Sequence, residues 1–385
     1  MSLKCKKTKY LYLILIIVII LIISFLFFLK INPSSSTINI GVTIPLSGPQ
    51  VYAGQEIKEG LDLGIEEINL SNSKIKYNLI YEDTICDPKN ASSSTQKLID
   101  IDNIHYLFGD FCSSGILASA PITERSKVIH IPFGASPDVE FAGEYVFRNK
   151  PNTRLETREL SRFLYNNEIK TVSALLINSD YGKGTIKAFE EEFDKLGGRI
   201  IKIEYYDTTA KDIKSQLQKI KASNPDVIYL APYPSDLANI MKQIKELGIS
   251  KPIFSCTGTE IGSFKNLADM EGTIYPYIEF NKTSKEYIDF EKKFISKYNK
   301  NPSFQSAVAY DAVTILNQAI NMCEDILDTN CVKDKLLNTK FDVVSGEVKF
   351  NENGELISTN YVWKTYHNGD FIYLKDYNPN NYKIE

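Results

Sequence analysis

Residues 106–121 read YLFGDFCSSGILASAP, an apolar stretch fit for a buried strand that runs through Gly-Asp-Phe-Cys-Ser-Ser-Gly into a segment of helical character. A strand end that meets a helix start leaves backbone N–H groups without partners and carries partial positive charge, so small residues there let an anion approach. Ser113 or Ser114 could equally be plain helix caps. Either way the junction is a strand followed at once by a helix, and the same order recurs on both sides of it.

Upstream, INIGVTIPL is a strand, and GQEIKEGLDLGIEEIN places Ile57, Leu61, Ile65 and Ile68 on one helical face. KYNLIYEDT and ASSSTQKLIDID repeat the pair. Downstream, VIHIPFGA, TVSALLI, RIIKIEYYD, DVIYLAPY and PIFSCTG read as strands, separated by amphipathic segments such as RLETRELSRFLYNN and GKGTIKAFEEEFDKLG. Strand, helix, strand in this order predicts an α/β fold of doubly wound, mostly parallel sheets with helices on both faces. Ligands of such folds sit outside the carboxyl ends of the strands. The loops at those ends include PLSGPQVYAG, EDTICDPKN, GDFCSSG, PFGASPD, NSDYGKG, APYPSD and SCTGTE. They are rich in Ser, Thr, Gly and Tyr, side chains that make neutral hydrogen bonds and apolar walls.

Several function classes have no support. No G-x-G-x-x-G opens the first helix, and there is no phosphate-binding G-x-x-x-x-G-K-[ST], no H-E-x-x-H and no G-x-S-x-G. The three histidines, His105, His130 and His367, are isolated from one another, and none shares a strand-end loop with a nucleophile. His130 lies inside an apolar strand and reads as a core residue. No enzyme, cofactor or metal is expected, and a formal charge of −4 with scattered Lys and Arg argues against nucleic acid.

The first 37 residues differ in character. A basic stub, KCKKTKY, precedes an uncharged apolar run over residues 11–29, long enough to cross a bilayer. It has no small-residue cleavage site, and Cys5 precedes rather than follows it. The reading is an uncleaved single-pass anchor in the cell membrane with the body on the extracytoplasmic side, the alternative being a secreted or periplasmic body after cleavage. Residues 32–37, NPSSST, read as a tether. Outside the cytoplasm disulfides are permitted, and beyond Cys5 the five cysteines are odd in number, so one thiol stays free or pairs between molecules.

Taken together, IPLSGPQVYAGQEIKEGLDLGIEEIN, EDTICDPKNASSSTQKLI followed by YLFGDFCSSG, and SDYGKG resemble the type I periplasmic solute-binding proteins, specifically the leucine/isoleucine/valine-binding group. The resemblance runs from about residue 38 to the C-terminus. It implies two hinged lobes, with lobe 1 over 38–150 and 276–343 and lobe 2 over 151–275 and 344–385. It also implies a disulfide between Cys86 and Cys112, and a Ser113 that binds the carboxylate of an amino acid. By the same resemblance Gly134 and Ser136 serve that carboxylate, Tyr181 closes over the ligand from lobe 2, Tyr233 is a pocket aromatic and Tyr52 lies near the side-chain subsite. Glu260, the only acid in the last strand-end loop, becomes the expected partner of the ligand ammonium. Cys323 and Cys331 flank EDILDT and can close a short loop, leaving Cys256 as the free thiol.

The implied function is capture of a small amino acid, of branched-chain type, and its delivery to the permease and ATPase subunits of an ABC importer. The alternatives are a sensory ectodomain acting through a membrane partner, or binding of a non-amino carboxylate or amide.

Overall fold

The structure, a computed structural model, describes residues 17–20, 36–71, 75–208, 210–260, 268–357 and 359–376. The chain starts with β1 (Ser36–Ile44), α1 (Val51–Leu70), β2 (Ile75–Asp83), α2 (Pro88–Asp100), β3 (Tyr106–Gly109), α3 (Ser113–Arg125) and β4 (Ile129–Ile131). These strands form a parallel sheet in the order β2-β1-β3-β4. The predicted stripe on α1 is the buried one: Ile57, Leu61 and Ile65 are in the core and Ile68 packs at its margin.

A second α/β unit follows: α4 (Thr153–Asn166), β5 (Thr171–Ile177), α5 (Asp180–Asp194), β6 (Arg199–Tyr206), α6 (Lys214–Ser223), β7 (Val227–Ala231), α7 (Leu237–Glu246), β8 (Ile253–Phe254) and β9 (Ile274–Ile278). All five residues of β7 and six of the seven in β5 are buried, as a parallel strand covered by helices on both faces requires. The chain then returns with α8 (Lys285–Tyr298), α9 (Phe304–Asn321) and α10 (Thr329–Asn338), of which α9 packs along α1. A short antiparallel hairpin, β10 (Phe341–Val343) and β11 (Gly346–Val348), precedes β12 (Tyr361–His367) and β13 (Asp370–Tyr373). These last two complete a seven-stranded sheet in the order β13-β12-β9-β8-β7-β5-β6, with the β12 pairings antiparallel. The result is the two-lobed α/β architecture with parallel sheets. One detail differs from expectation: β9 pairs with both β8 and β12 and runs to residue 278, so the sheet of lobe 2 extends past residue 275.

Most of the apolar run over 11–29, and with it the expected anchor, lies outside the described residues. Among the described residues no helix is long and apolar enough to cross a membrane.

The crossings between lobes are organised by Arg148, which is fully buried. Its Nη1 donates to the carbonyls of Gly134 (3.0 Å) and Ser136 (2.8 Å), while Nε (3.1 Å) and Nη2 (2.6 Å) donate to Glu355. Asn152 adds a bond from Nδ2 to the same Glu355 oxygen at 2.9 Å, and its Oδ1 caps α4. Nearby, Asp311 of α9 accepts the N–H groups of Val344 (2.8 Å) and Ser345 (2.9 Å) at the turn of the β10–β11 hairpin.

Removing one member of a buried ion pair leaves the other charge uncompensated, at a cost of about 3–5 kcal/mol. Arg148→Met is therefore expected to lose about that much stability in urea unfolding, and Arg148→Met with Glu355→Leu to recover a large part of it. Equal losses in the single and double variants would contradict this.

Candidate functional site

The strand ends of the two lobes face each other across a cavity of about 50 Å³. From lobe 1 and the first crossing come Phe111, Ser113, Ala135, Lys150 and Phe304. From lobe 2 come Tyr181, Pro232, Tyr233, Pro234, Thr257 and Gly258. The lobes are closed on each other: Gln50 Nε2 donates to Ser235 Oγ at 3.0 Å, and Ser136 Oγ donates to the carbonyl of Asp180 at 3.2 Å.

Ser113 is where the opening motif points. The N-cap of α3 is Cys112, whose sulfur is in a disulfide, so neither Ser113 nor Ser114 is the cap. Ser113 Oγ instead accepts the N–H of Ser136 at 3.1 Å, joining two strand-end loops. Among the described residues nothing accepts its hydroxyl proton, and the side chain lines the cavity at the positive end of α3. Gly134 permits this approach, because a Cβ there would lie 2.4 Å from Ile116 Cδ1 and 3.1 Å from Ser113 Oγ.

Tyr181 and Tyr233 are also brought into the cavity wall, with ring centroids 6.1 Å apart and planes 13° from parallel. Tyr181 sits in the first turn of α5, which Ser179 caps by accepting the N–H of Gly182. Burial pushes the Tyr181 hydroxyl well above its usual range, so it stays protonated and able to donate.

Four expected residues are not among those lining the cavity. Glu260 lines a neighbouring cleft with Tyr277, Pro302 and Ser303, where it is paired with Lys364 at 2.7 Å and accepts a hydrogen bond from Tyr275. In this structure its carboxylate is paired with Lys364 and it does not line the cavity, though the two spaces share Thr257 and Phe304. Ser136 is fully buried, and its hydroxyl serves Asp180 and caps Asp138, while the adjacent Ala135 lines the cavity. Gly134 gives its carbonyl to Arg148. Tyr52 donates to Gln50 Oε1 at 3.1 Å and so belongs to the contact between lobes.

The charged groups near the cavity were not found from sequence. Lys150 lines it, with 6 % of its surface exposed; Nζ donates to the Phe133 carbonyl at 3.0 Å and lies 5.6 and 5.8 Å from the ring centres of Phe111 and Phe304. Burial, with Arg148 nearby, pushes its ammonium down to about 8. Glu156, behind Thr257, accepts Thr257 Oγ1 (2.7 Å) and N–H (3.3 Å), and burial pushes it up to about 7. Asp110 accepts the N–H groups of Phe111 (2.5 Å) and Cys112 (3.2 Å), and burial pushes it up to about 6. His130 is the core residue its strand suggests, bonded to the Gly109 carbonyl and pushed down to about 4 by burial.

The disulfides pair as expected: Cys86 with Cys112, and Cys323 with Cys331, with Cys256 free and buried. Cys86, Asp110 and Cys112 are clustered, but both sulfurs are in the bridge, leaving one carboxylate and no metal-ligating thiolate.

A family model described as periplasmic binding protein matches residues 37–369. The chain belongs to that family. A relative within it, the leucine-, isoleucine-, valine-, threonine- and alanine-binding protein of Pseudomonas aeruginosa, is 25 % identical over 346 residues, covering 86 % of this chain and 91 % of the relative. The crystal structure of a leucine-binding protein from Thermotoga maritima superposes with a TM-score of 0.78 at 25 % identity, covering 87 % of this chain and 97 % of that one. A solute-binding protein of an ABC transporter from Rhodopseudomonas palustris, in complex with 3,4-dihydroxybenzoic acid, shares the fold at a TM-score of 0.76 and 19 % identity, covering 87 % and 95 % of the two chains.

Within this periplasmic binding protein fold, the Cys86–Cys112 bridge ties the loop after β2 to the N-cap of α3, closing a separation of 26 residues. A loop of that size corresponds to about 3–4 kcal/mol of unfolded-state entropy. Cys86→Ala with Cys112→Ala is expected to lower unfolding stability by about 2–4 kcal/mol; a change below about 0.5 kcal/mol would contradict it.

Proposed function

We propose that this chain is an extracytoplasmic solute-binding component of an ABC importer, capturing a small carboxylate-bearing solute by closure of its two lobes. The observation that carries this is Ser113: a buried hydroxyl with an uncommitted proton, at the N-terminal end of α3, on the wall of a cavity shared by both lobes. Lobe 1 takes the carboxylate; Tyr181, Tyr233 and Pro232 of lobe 2 cover the rest of the solute, so only the closed form contacts all of it. The permease and ATPase subunits are the partners of this reading. The names and titles of the relatives support a carboxylate, since leucine and 3,4-dihydroxybenzoic acid share that group and an apolar body while differing in the ammonium.

A hydrogen bond to a charged group contributes about 1.5–3 kcal/mol, equivalent to about a 10–100-fold change in affinity. In a thermal-shift and titration screen of amino acids, aliphatic and aromatic acids, and amides, carboxylates are expected to stabilise the protein, with Ser113→Ala weakening the best of them by that factor. Amides binding as well as acids, or indifference to Ser113→Ala, would overturn the proposal.

A further inference from the structure

With Glu260 paired to Lys364, the charged side chain that lines the solute cavity among the described residues is a cation, Lys150. Lys150 has three donors, of which one reaches the Phe133 carbonyl. Among the described residues no carboxylate lies within 4.0 Å of its Nζ, although Lys150 is nearly as buried as the core around it. An ammonium taken from water with so few partners is costly, and an arriving anion relieves that cost.

We propose that the solute is an apolar-bodied carboxylate without an ammonium group, and that Lys150 selects it. This rests on the reading of the cavity as the solute site and names the solute class. None of Glu156, Asp110 and Glu260 lines the cavity. Glu156 is held behind Thr257, with one oxygen taken by the Thr257 hydroxyl and N–H and the other 3.5 Å from the Tyr229 hydroxyl. Asp110 gives one oxygen to the N–H groups of Phe111 and Cys112 and packs the other against Gly115, where an added Cβ would lie 2.4 Å from it. Glu260 faces the adjacent cleft. An α-ammonium carried into the small cavity therefore meets Lys150 as a like charge and, among the described residues, finds no carboxylate in the wall. The faces of Phe111, Phe304 and Tyr233 and the ring of Pro232 suit a hydrocarbon or aromatic body.

The test is calorimetric titration of the full-length chain in mild detergent with two matched pairs, 4-methylpentanoate against leucine and 3-phenylpropanoate against phenylalanine. Wild type is compared with Lys150→Met, Lys150→Gln and Ser113→Ala, with each variant's unfolding midpoint recorded. At separations of a few ångströms, like-charge repulsion corresponds to about a 100-fold preference for the amine-free acid in wild type. Loss of the Lys150 charge is expected to weaken the preferred acid at least about 10-fold and to shrink that preference, while the unliganded protein melts no lower than wild type. A role of Lys150 in folding alone would lower the melt and leave the preference intact, which overturns the proposal. If the amino acid of a pair binds as tightly as its acid, and Ser113→Ala weakens it, the inference falls while the cavity remains the solute site. If no member of either pair binds, the inference falls together with the reading it rests on.

Discussion

The guanidinium of Arg148 holds the structure to one arrangement. Its four contacts come from two places: the carbonyls of Gly134 and Ser136 in the nearby loop after β4, and two bonds to Glu355, 207 residues on in the last crossing, while Arg148 itself lies in the first. Arginine suits this because its planar fork is charged at all relevant pH and offers five donors in fixed directions. A neutral residue could fill the volume but could not satisfy two carbonyls and a buried carboxylate together. The loop that meets Ser113, the start of α4 and the return strand are thereby set relative to one another before any solute is considered.

The cavity inherits its character from that framework. With the loop after β4 fixed, the Ser136 N–H reaches Ser113, and the Ser113 hydroxyl proton is left to the cavity. Two residues after Arg148, the chain places Lys150 into the same wall, where burial pushes its ammonium down and, among the described residues, no carboxylate pairs with it. Lobe 2 supplies Tyr181, Tyr233 and two prolines together with Thr257 and Gly258, and Phe111 and Phe304 add aromatic surface from the other side. On the proposed function, with lining residues from both lobes, closure is the step that brings all of them against a solute.

Much of this was legible in the sequence. The strand and helix order, the buried stripe of α1, and the placing of Ser113, Tyr181 and Tyr233 at strand ends all follow from periodicity and from the motifs around them. The Cys86–Cys112 bridge was implied by the family resemblance, and the spacing of Cys323 and Cys331 allowed the second. What was not legible is which polar partner each side chain chooses in three dimensions. Glu260 looked available because Lys364, its partner, sits 104 residues away on an antiparallel return strand. Ser136 looked like a ligand hydroxyl because its acceptor, the Asp180 carbonyl, belongs to the other lobe. Lys150 gave no signal at all: in RNKPN it reads as one more solvated charge, and only the crossing geometry buries it.

The most direct test of the account is the distance between lobes in solution, measured by energy transfer between dyes at Asn103→Cys and Lys195→Cys, both exposed and one on each lobe. A longer, broader distance distribution is expected without solute and a single shorter distance when the tightest-binding carboxylate saturates the site, a change that Ser113→Ala shifts to higher solute concentration. Saturable carboxylate binding with the distance between lobes unchanged would contradict it.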